Sequence, residues 1–277
     1  AEGEAPESPQ PPSPRPAMNP AGRWVLGAAL GVMISLAGCA SVPPPREAGR
    51  PISGQERDEI LARLQIREEQ VRSLRGIAAV EVTVYGETRR FREAVALRSD
   101  GRFRLETLSA FGVPVLIIAS DGDQMAVRGT SHQRESPGDP RQLLARLLGV
   151  QLPPAAFVRL LAGLPPLAVM PSTLGFYLPQ HGAYLLEDQS GDTLQRLYLD
   201  PPGALLGGEI WEDGDGLRFT FSAVREVEGI SFPMDITLKQ VRRSVSVTVA
   251  YQAIDINPTL DDPLFSLPLS TPTKNGG

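Results

Sequence analysis

The sequence predicts an α+β fold: a strongly curved antiparallel β-sheet, a half-open barrel of about eleven strands, with an N-terminal helix and a helical insert covering an apolar cavity. Three observations lead to this. Apolar residues recur at helical spacing before Gly76 and at a period of two after it. Turn-forming clusters then punctuate the chain at short, regular intervals. The strand pattern is interrupted once, by two short Leu-rich segments that each open on proline.

The domain is expected to span 53–270. Ser53 and Glu56 form an S-x-x-E capping box. Ile60, Leu64, Val71 and Leu74 follow at helical spacing, and Gly76 is the expected end of the helix. Ile77 to Tyr85 and Phe91 to Arg98 read as strands joined by a polar turn, GETRR. Further strands are expected from Arg102 after the Ser99-Asp100-Gly101 turn, from Val115, and from Gln124 after Asp121-Gly122-Asp123. Asp139-Pro140 opens one helix, running to Gly149, and Pro153-Pro154 opens another, running to Gly163. Six strands follow: Ala183–Asp188, Thr193–Asp200, Ala204–Glu212, Leu217–Val227, Phe232–Gln240 and Ser244–Ile256. Residues 271–277 read as a disordered tail.

Upstream of the domain lies an export signal. From Met18 the chain reads MNPAGRWVLGAALGVMISLAGC. Arg23 supplies a positive start, Trp24 to Ala37 is a 14-residue uncharged apolar run, and Leu36-Ala37-Gly38-Cys39 supplies small residues before a cysteine. The run is shorter than the roughly 20 residues a spanning helix needs. Residues 18–38 are therefore read as a lipoprotein signal peptide, and L-A-G-C resembles the bacterial lipobox, in which the cysteine sulfur is acylated. Cys39 is the only cysteine, so no internal disulfide competes for it. Ala40 follows it rather than Asp, which by the sorting rule of enteric bacteria favours the outer membrane. Residues 39–52 form a tether whose three consecutive prolines favour an extended spacer. Residues 1–17 are rich in Pro, Glu and Ser and are read as disordered, upstream of a true start at Met18.

Cleavage before Cys39 leaves 239 of the 277 residues, enough for one sizeable domain. The net charge of −5, with no basic tail, argues against a nucleic-acid partner. No catalytic constellation emerges. His132 and His181 stand in polar loops without a second ligand at metal spacing. Asp213-Gly214-Asp215-Gly216 lacks the downstream Glu of a calcium loop and reads as a hairpin turn. Neither a G-x-S-x-G elbow nor a phosphate-cradling loop is found, so the chain is not expected to be an enzyme, and no metal or cofactor is expected. The unusual feature is Ser109-Ala110-Phe111-Gly112-Val113-Pro114, an uncharged connection between two strands with a Phe where polar residues are usual. Phe111 either folds back into the core, which composition favours, or stands out as an apolar tip.

From Gly101 to Pro166 the sequence resembles the LolB family, outer-membrane lipoproteins that receive other lipoproteins and insert them into that membrane. Arg102-Phe103-Arg104-Leu105 matches the strand before the family's protruding loop, and Ser109-Ala110-Phe111-Gly112 falls on the loop. Leu147-Leu148-Gly149-Val150-Gln151-Leu152-Pro153 and Leu160-Leu161-Ala162-Gly163-Leu164-Pro165 resemble the ends of its two helices. Strand pattern extends a weaker match from Val71 to Tyr251. Two departures stand out. Phe111 replaces the family's usual Leu, and the stretch from Ile254 through Asp262-Pro263-Leu264-Phe265 runs past the usual domain end and looks more like LolA-like proteins.

The resemblance implies a half-open barrel shared with LolA, with a helical lid over an apolar cavity. It implies a membrane-probing loop at Phe111 and Gly112, a cavity lined from the lid by Leu143, Leu144, Leu147, Leu148, Leu160 and Leu161, and a lipid anchor at Cys39. The implied partners are lipoprotein acyl chains, a LolA-like periplasmic carrier and the outer membrane, reached by a monomer facing the periplasm of a Gram-negative bacterium. Each CH₂ withdrawn from water is worth roughly 0.8 kcal/mol, so acyl chains need cover to cross an aqueous space. The alternative is an envelope lipoprotein of the same fold binding another lipid or envelope component.

Overall fold

The structure, a computed structural model, describes residues 46–129, 134–148, 152–212 and 214–267. The signal segment 18–38, Cys39, His132 and the tail 271–277 lie outside them. Among the described residues no helix is long and apolar enough to cross a membrane.

One helix opens the domain: α1, Gly54–Gln70. Two follow later, α2 at Pro140–Leu148 and α3 at Pro154–Leu161. The strands are β1 Arg50–Pro51, β2 Ser73–Val84, β3 Glu87–Arg98, β4 Phe103–Leu108, β5 Pro114–Ser120, β6 Met125–Gly129 and β7 Arg134–Gly138. After the helices come β8 Leu174–Leu178, β9 Ala183–Ser190, β10 Thr193–Leu199, β11 Leu205–Glu212, β12 Asp215–Val227, β13 Ile230–Gln240 and β14 Val245–Ile256. All fourteen lie in one antiparallel sheet, in the order β1-β8-β9-β10-β11-β12-β13-β14-β2-β3-β4-β5-β6-β7. Two meanders are thus joined where the last strand lies beside β2, in register from Val245↔Val84 to Ile256↔Leu74.

The α+β class and the antiparallel meander agree with the sequence reading; the expected eleven strands are corrected to fourteen among the described residues. β1 was missed because two residues show no period, β7 because Arg134-Glu135-Ser136-Pro137-Gly138 has the composition of a turn, and β8 because Leu174-Gly175-Phe176-Tyr177-Leu178 does not alternate apolar with polar residues. The end of α1 is also corrected. The helix stops at Gln70, and Leu74 and Gly76 belong to β2. Asn257 secures the junction from the far end of β14: its side-chain oxygen accepts from the Arg72 N–H at 2.8 Å and its amide donates to the Gln70 carbonyl at 2.8 Å. Gly76 serves close approach instead, since a Cβ there would stand 2.6 Å from the Ala253 carbonyl at a bulge in β14. Ser53 caps α1 through the Glu56 N–H at 3.1 Å, while the Glu56 carboxylate accepts from Tyr184 Oη at 2.9 Å rather than closing the box.

The GETRR turn is corrected as well. The β2–β3 hairpin turns on Tyr85 and Gly86, at φ of +50° and +88°, and GETRR's remaining residues are strand. Positive φ at both positions suits the twist of a two-residue hairpin. The polarity read as a loop belongs to exposed strand residues, 87–90, where β3 runs on past the end of β4.

The concave face carries the core. Leu74, Val95, Leu97, Phe103, Phe219, Phe232 and Ile236 pack there with Ile60 and Leu64 of α1 and Phe157, Val158 and Leu160 of α3. Phe103 and Phe157 meet edge to face at 5.4 Å. Arg159 holds α3 down: it pairs with Glu68 of α1, one of the two contacts being Nη2 to Oε2 at 2.9 Å, and donates from Nε to the Pro165 carbonyl at 2.6 Å. On the convex side the C-terminal segment crosses β4 to β6. Arg98 reaches Asp262 at 2.5 Å, Arg104 reaches the Leu264 carbonyl at 3.0 Å, and Leu267 packs on Ile117, Ala119 and Ala126.

Candidate functional site

A hollow of about 730 Å³ lies in the concave face, within the roughly 300–1,000 Å³ usual for ligand sites. Its lining follows from the period of two. Inward positions of β2 supply Val80, Val82 and Val84; those of β3 supply Phe91, Glu93 and Val95; β4 and β5 add Leu105, Thr107, Leu116 and Ile118. Val247 and Val249 of β14 and Leu238 of β13 form the opposite side, and Phe157 and Leu161 of α3 close one end. The other end reaches Tyr85, Glu87 and Arg89 at the β2–β3 tip.

Of the six lid leucines expected to line a cavity, Leu161 does so. Leu144 and Leu160 have no exposed surface, and Leu143 is buried in the same core; all three anchor the insert. An amphipathic helix must bury most of its apolar stripe to dock, so few of its leucines remain for a ligand. The side chains of Leu147 and Leu148 lie outside the description. Phe157 was missed. It stands one turn before Leu161, and that spacing was its available signal.

Glu93 was also missed, and it is the polar exception. It is 4% exposed, and its Oε2 accepts from Thr107 Oγ1 at 2.9 Å. Burial pushes its pKa up to about 7, the Thr107 bond opposes the rise, and the charge of Glu106 adds to it. Its signal is an acid on the apolar register Phe91, Glu93, Val95, Leu97. The native state holds this proton at pH values where an unfolded chain has released it. Stability is therefore highest below the ordinary carboxylate range and falls as pH rises through about 7, by at most about 3 kcal/mol. Urea midpoints of Glu93→Gln are expected to lose this decline between about pH 5 and pH 8. A wild-type midpoint constant across that window contradicts it.

Phe111 sits on the β4–β5 loop and is 94% exposed, so the core placement that composition favoured is corrected. The loop is closed by the Ser109 N–H to the Val113 carbonyl at 2.8 Å and the Gly112 N–H to the Ser109 carbonyl at 2.9 Å. Gly112 adopts φ +76°, which turns the chain and leaves the Phe111 side chain without a neighbour to fold onto. Strand directions put this loop at the same end of the sheet as the Tyr85 turn and the β13–β14 turn, whose Ser244 carbonyl accepts from the Tyr85 N–H at 2.9 Å. The turns at that end also expose Tyr85 at 76%, Val113 at 60%, Val241 at 41% and Val84 at 38%. Arg89 and Arg243 are exposed beside them. His181 lies elsewhere, 2.9 Å from Glu47. Among the described residues no group of three or more His, Cys, Asp or Glu is placed to hold a metal.

A curved antiparallel sheet around a helix-closed apolar hollow is the class of fold this geometry defines. Solved structures share it. A DUF1329 family protein from Desulfovibrio piger superposes with a TM-score of 0.53 at 11% identity, over 78% of this chain and 98% of its own. An outer-membrane lipoprotein-sorting protein domain from Vibrio parahaemolyticus gives 0.53 at 12% identity, over 77% and 97%. A LolA-superfamily protein from Nitrosomonas europaea gives 0.48 at 11%, over 75% and 97%. At these identities the first two likenesses establish the fold. No family model matches the sequence, and no curated protein aligns with it.

Proposed function

We propose that this protein is a lipid-anchored carrier or receptor that covers the acyl chains of lipoproteins and helps to insert them into the outer membrane. The observation that carries the reading is the joining of two features at one end of the sheet: the open end of an apolar hollow and the exposed Phe111. The resemblance to the LolB family between Gly101 and Pro166 supports it, as does a fold shared with a lipoprotein-sorting domain. An envelope location fits both.

In this reading Cys39 carries the anchor and the tether lets the domain reach the membrane surface. The cavity replaces water around the chains, and no bond is made or broken. Phe111 and its apolar neighbours touch the bilayer first, and the arginines beside them suit anionic headgroups. A chain then leaves a wall of valines for the hydrocarbon core, an exchange of like surroundings. A fluorescent acyl probe is expected to bind the protein and to be displaced by an acylated lipoprotein.

A further inference from the structure

We propose that Glu93 and Thr107 form a subsite within the cavity for the hydrogen-bond donor of an amphiphile, an amide N–H or a hydroxyl carried on an acyl chain. The inference rests on the reading of the hollow as an acyl-chain site and adds a polar address inside it.

The placement is specific. Glu93 pairs across β3 with Ala78 of β2 on one side and Thr107 of β4 on the other, and Thr107 pairs with Leu116 of β5. The row across the wall therefore reads Ala, Glu, Thr, Leu, with Phe91 above it and Val95 below on the same face of β3. Thr107 satisfies Oε2, and among the described residues no other hydrogen bond reaches Glu93, so Oε1 is left for a ligand. A cavity meant for hydrocarbon alone gains nothing from a carboxyl midway along its wall, because burying one without a full set of partners is costly. A donor on the ligand removes that cost and fixes how deep the chain enters.

The other charged groups leave this role to Glu93. Glu87 and Arg89 line the cavity on the same face, but Arg89 is four residues nearer the tip, about 13 Å along the strand. β5, β13, β14 and α3 line the hollow with Leu116, Ile118, Leu238, Val247, Val249, Phe157 and Leu161, and Tyr251 of β14, which faces Ala78 in the same row, donates its hydroxyl to the Leu161 carbonyl at 2.9 Å. Arg159 of α3 is turned to Glu68, and Glu106 lies on the opposite face of β4, paired with Arg104. Apolar wall extends both ways from Glu93, to Phe91 and Val82 outward and to Val95, Leu105 and Phe157 inward. The chain can thus lie on either side of its donor.

The test uses two uncharged ligands of equal length, N-dodecylacetamide and dodecyl acetate, which differ in one N–H. Each displaces a fluorescent acyl probe from the full chain carrying Cys39→Ser. Above neutral pH the wild-type cavity is expected to favour the amide about tenfold, the yield of a charge-assisted bond. Glu93→Leu is expected to bring the ratio to about one while both ligands still bind. Glu93→Gln keeps the shape and one acceptor and is expected to retain a smaller preference that does not change with pH, whereas the wild-type preference shrinks on acidification. Equal binding of both ligands to the wild type overturns the subsite and leaves the cavity reading standing. Failure of both ligands to bind overturns the cavity reading itself.

Discussion

Phe111→Glu is expected to abolish delivery of lipoproteins to membrane vesicles and to leave the melting temperature where it was. The side chain is 94% exposed and the loop is held by backbone bonds among Ser109, Gly112 and Val113, none of which involves the ring. A surface substitution of this kind shifts stability by no more than about 0.5 kcal/mol. At a bilayer the change is large. Burying a Phe side chain gains roughly 1.5–3 kcal/mol, and a carboxylate loses that gain and adds a desolvation cost. Vesicle association should fall by one to several orders of magnitude. Phe111→Leu should retain most of it, because bulk and apolarity are what the contact requires. A melting temperature that drops sharply in Phe111→Glu contradicts the exposed tip. Unchanged delivery contradicts its role.

Phe157→Ala is expected to be the most damaging change in the helical insert. Phe157 is 3% exposed, meets the Phe103 ring at 5.4 Å and forms part of the closed end of the hollow. Removing a buried ring costs about 3–5 kcal/mol, because the lost contacts leave a void that the surroundings fill only in part. For a domain of this size the melting temperature should fall by on the order of 10 °C. The variant also opens the wall, so acyl probes should bind with altered affinity and faster exchange. Arg159 and Tyr251 still hold α3, through Glu68 and through the bond from Tyr251 Oη to the Leu161 carbonyl at 2.9 Å. The loss should therefore be local to the wall rather than a release of the helix. A cost below about 1 kcal/mol would mean that α3 does not seal the hollow as described.

These sites show which parts of the molecule can be read from residues alone. Alternation along β2 to β5 and β9 to β14, the Ser53 cap and the Ser99-Asp100-Gly101 turn are local, and all were readable. Gly76 misled because one residue can end a helix or admit a neighbouring strand, and only the partner strand decides. The ribbon around Tyr85 misled because its polarity, usual for a loop, here belongs to exposed strand residues beyond the end of β4. The site was harder for the same reason. Leu143, Leu144 and Leu160 have the composition of a cavity lining, yet docking the insert uses them up. Phe111 was ambiguous because exposure is a property of the loop's closure, set by Gly112 and hydrogen bonds invisible in composition. Glu93 gave a signal, an acid on an apolar register, but its meaning needed Thr107, fourteen residues away and directly opposite in the sheet.

The central claim is that the hollow holds lipoprotein acyl chains, and displacement of a bound acyl probe tests it most directly. The full chain carrying Cys39→Ser, so that its own anchor does not compete, is loaded with the probe and titrated with one lipoprotein in two forms, acylated and stripped of its chains. The account predicts that the acylated form displaces the probe at equimolar amounts and that the stripped form does not. Displacement by both forms alike, or by neither, would contradict it.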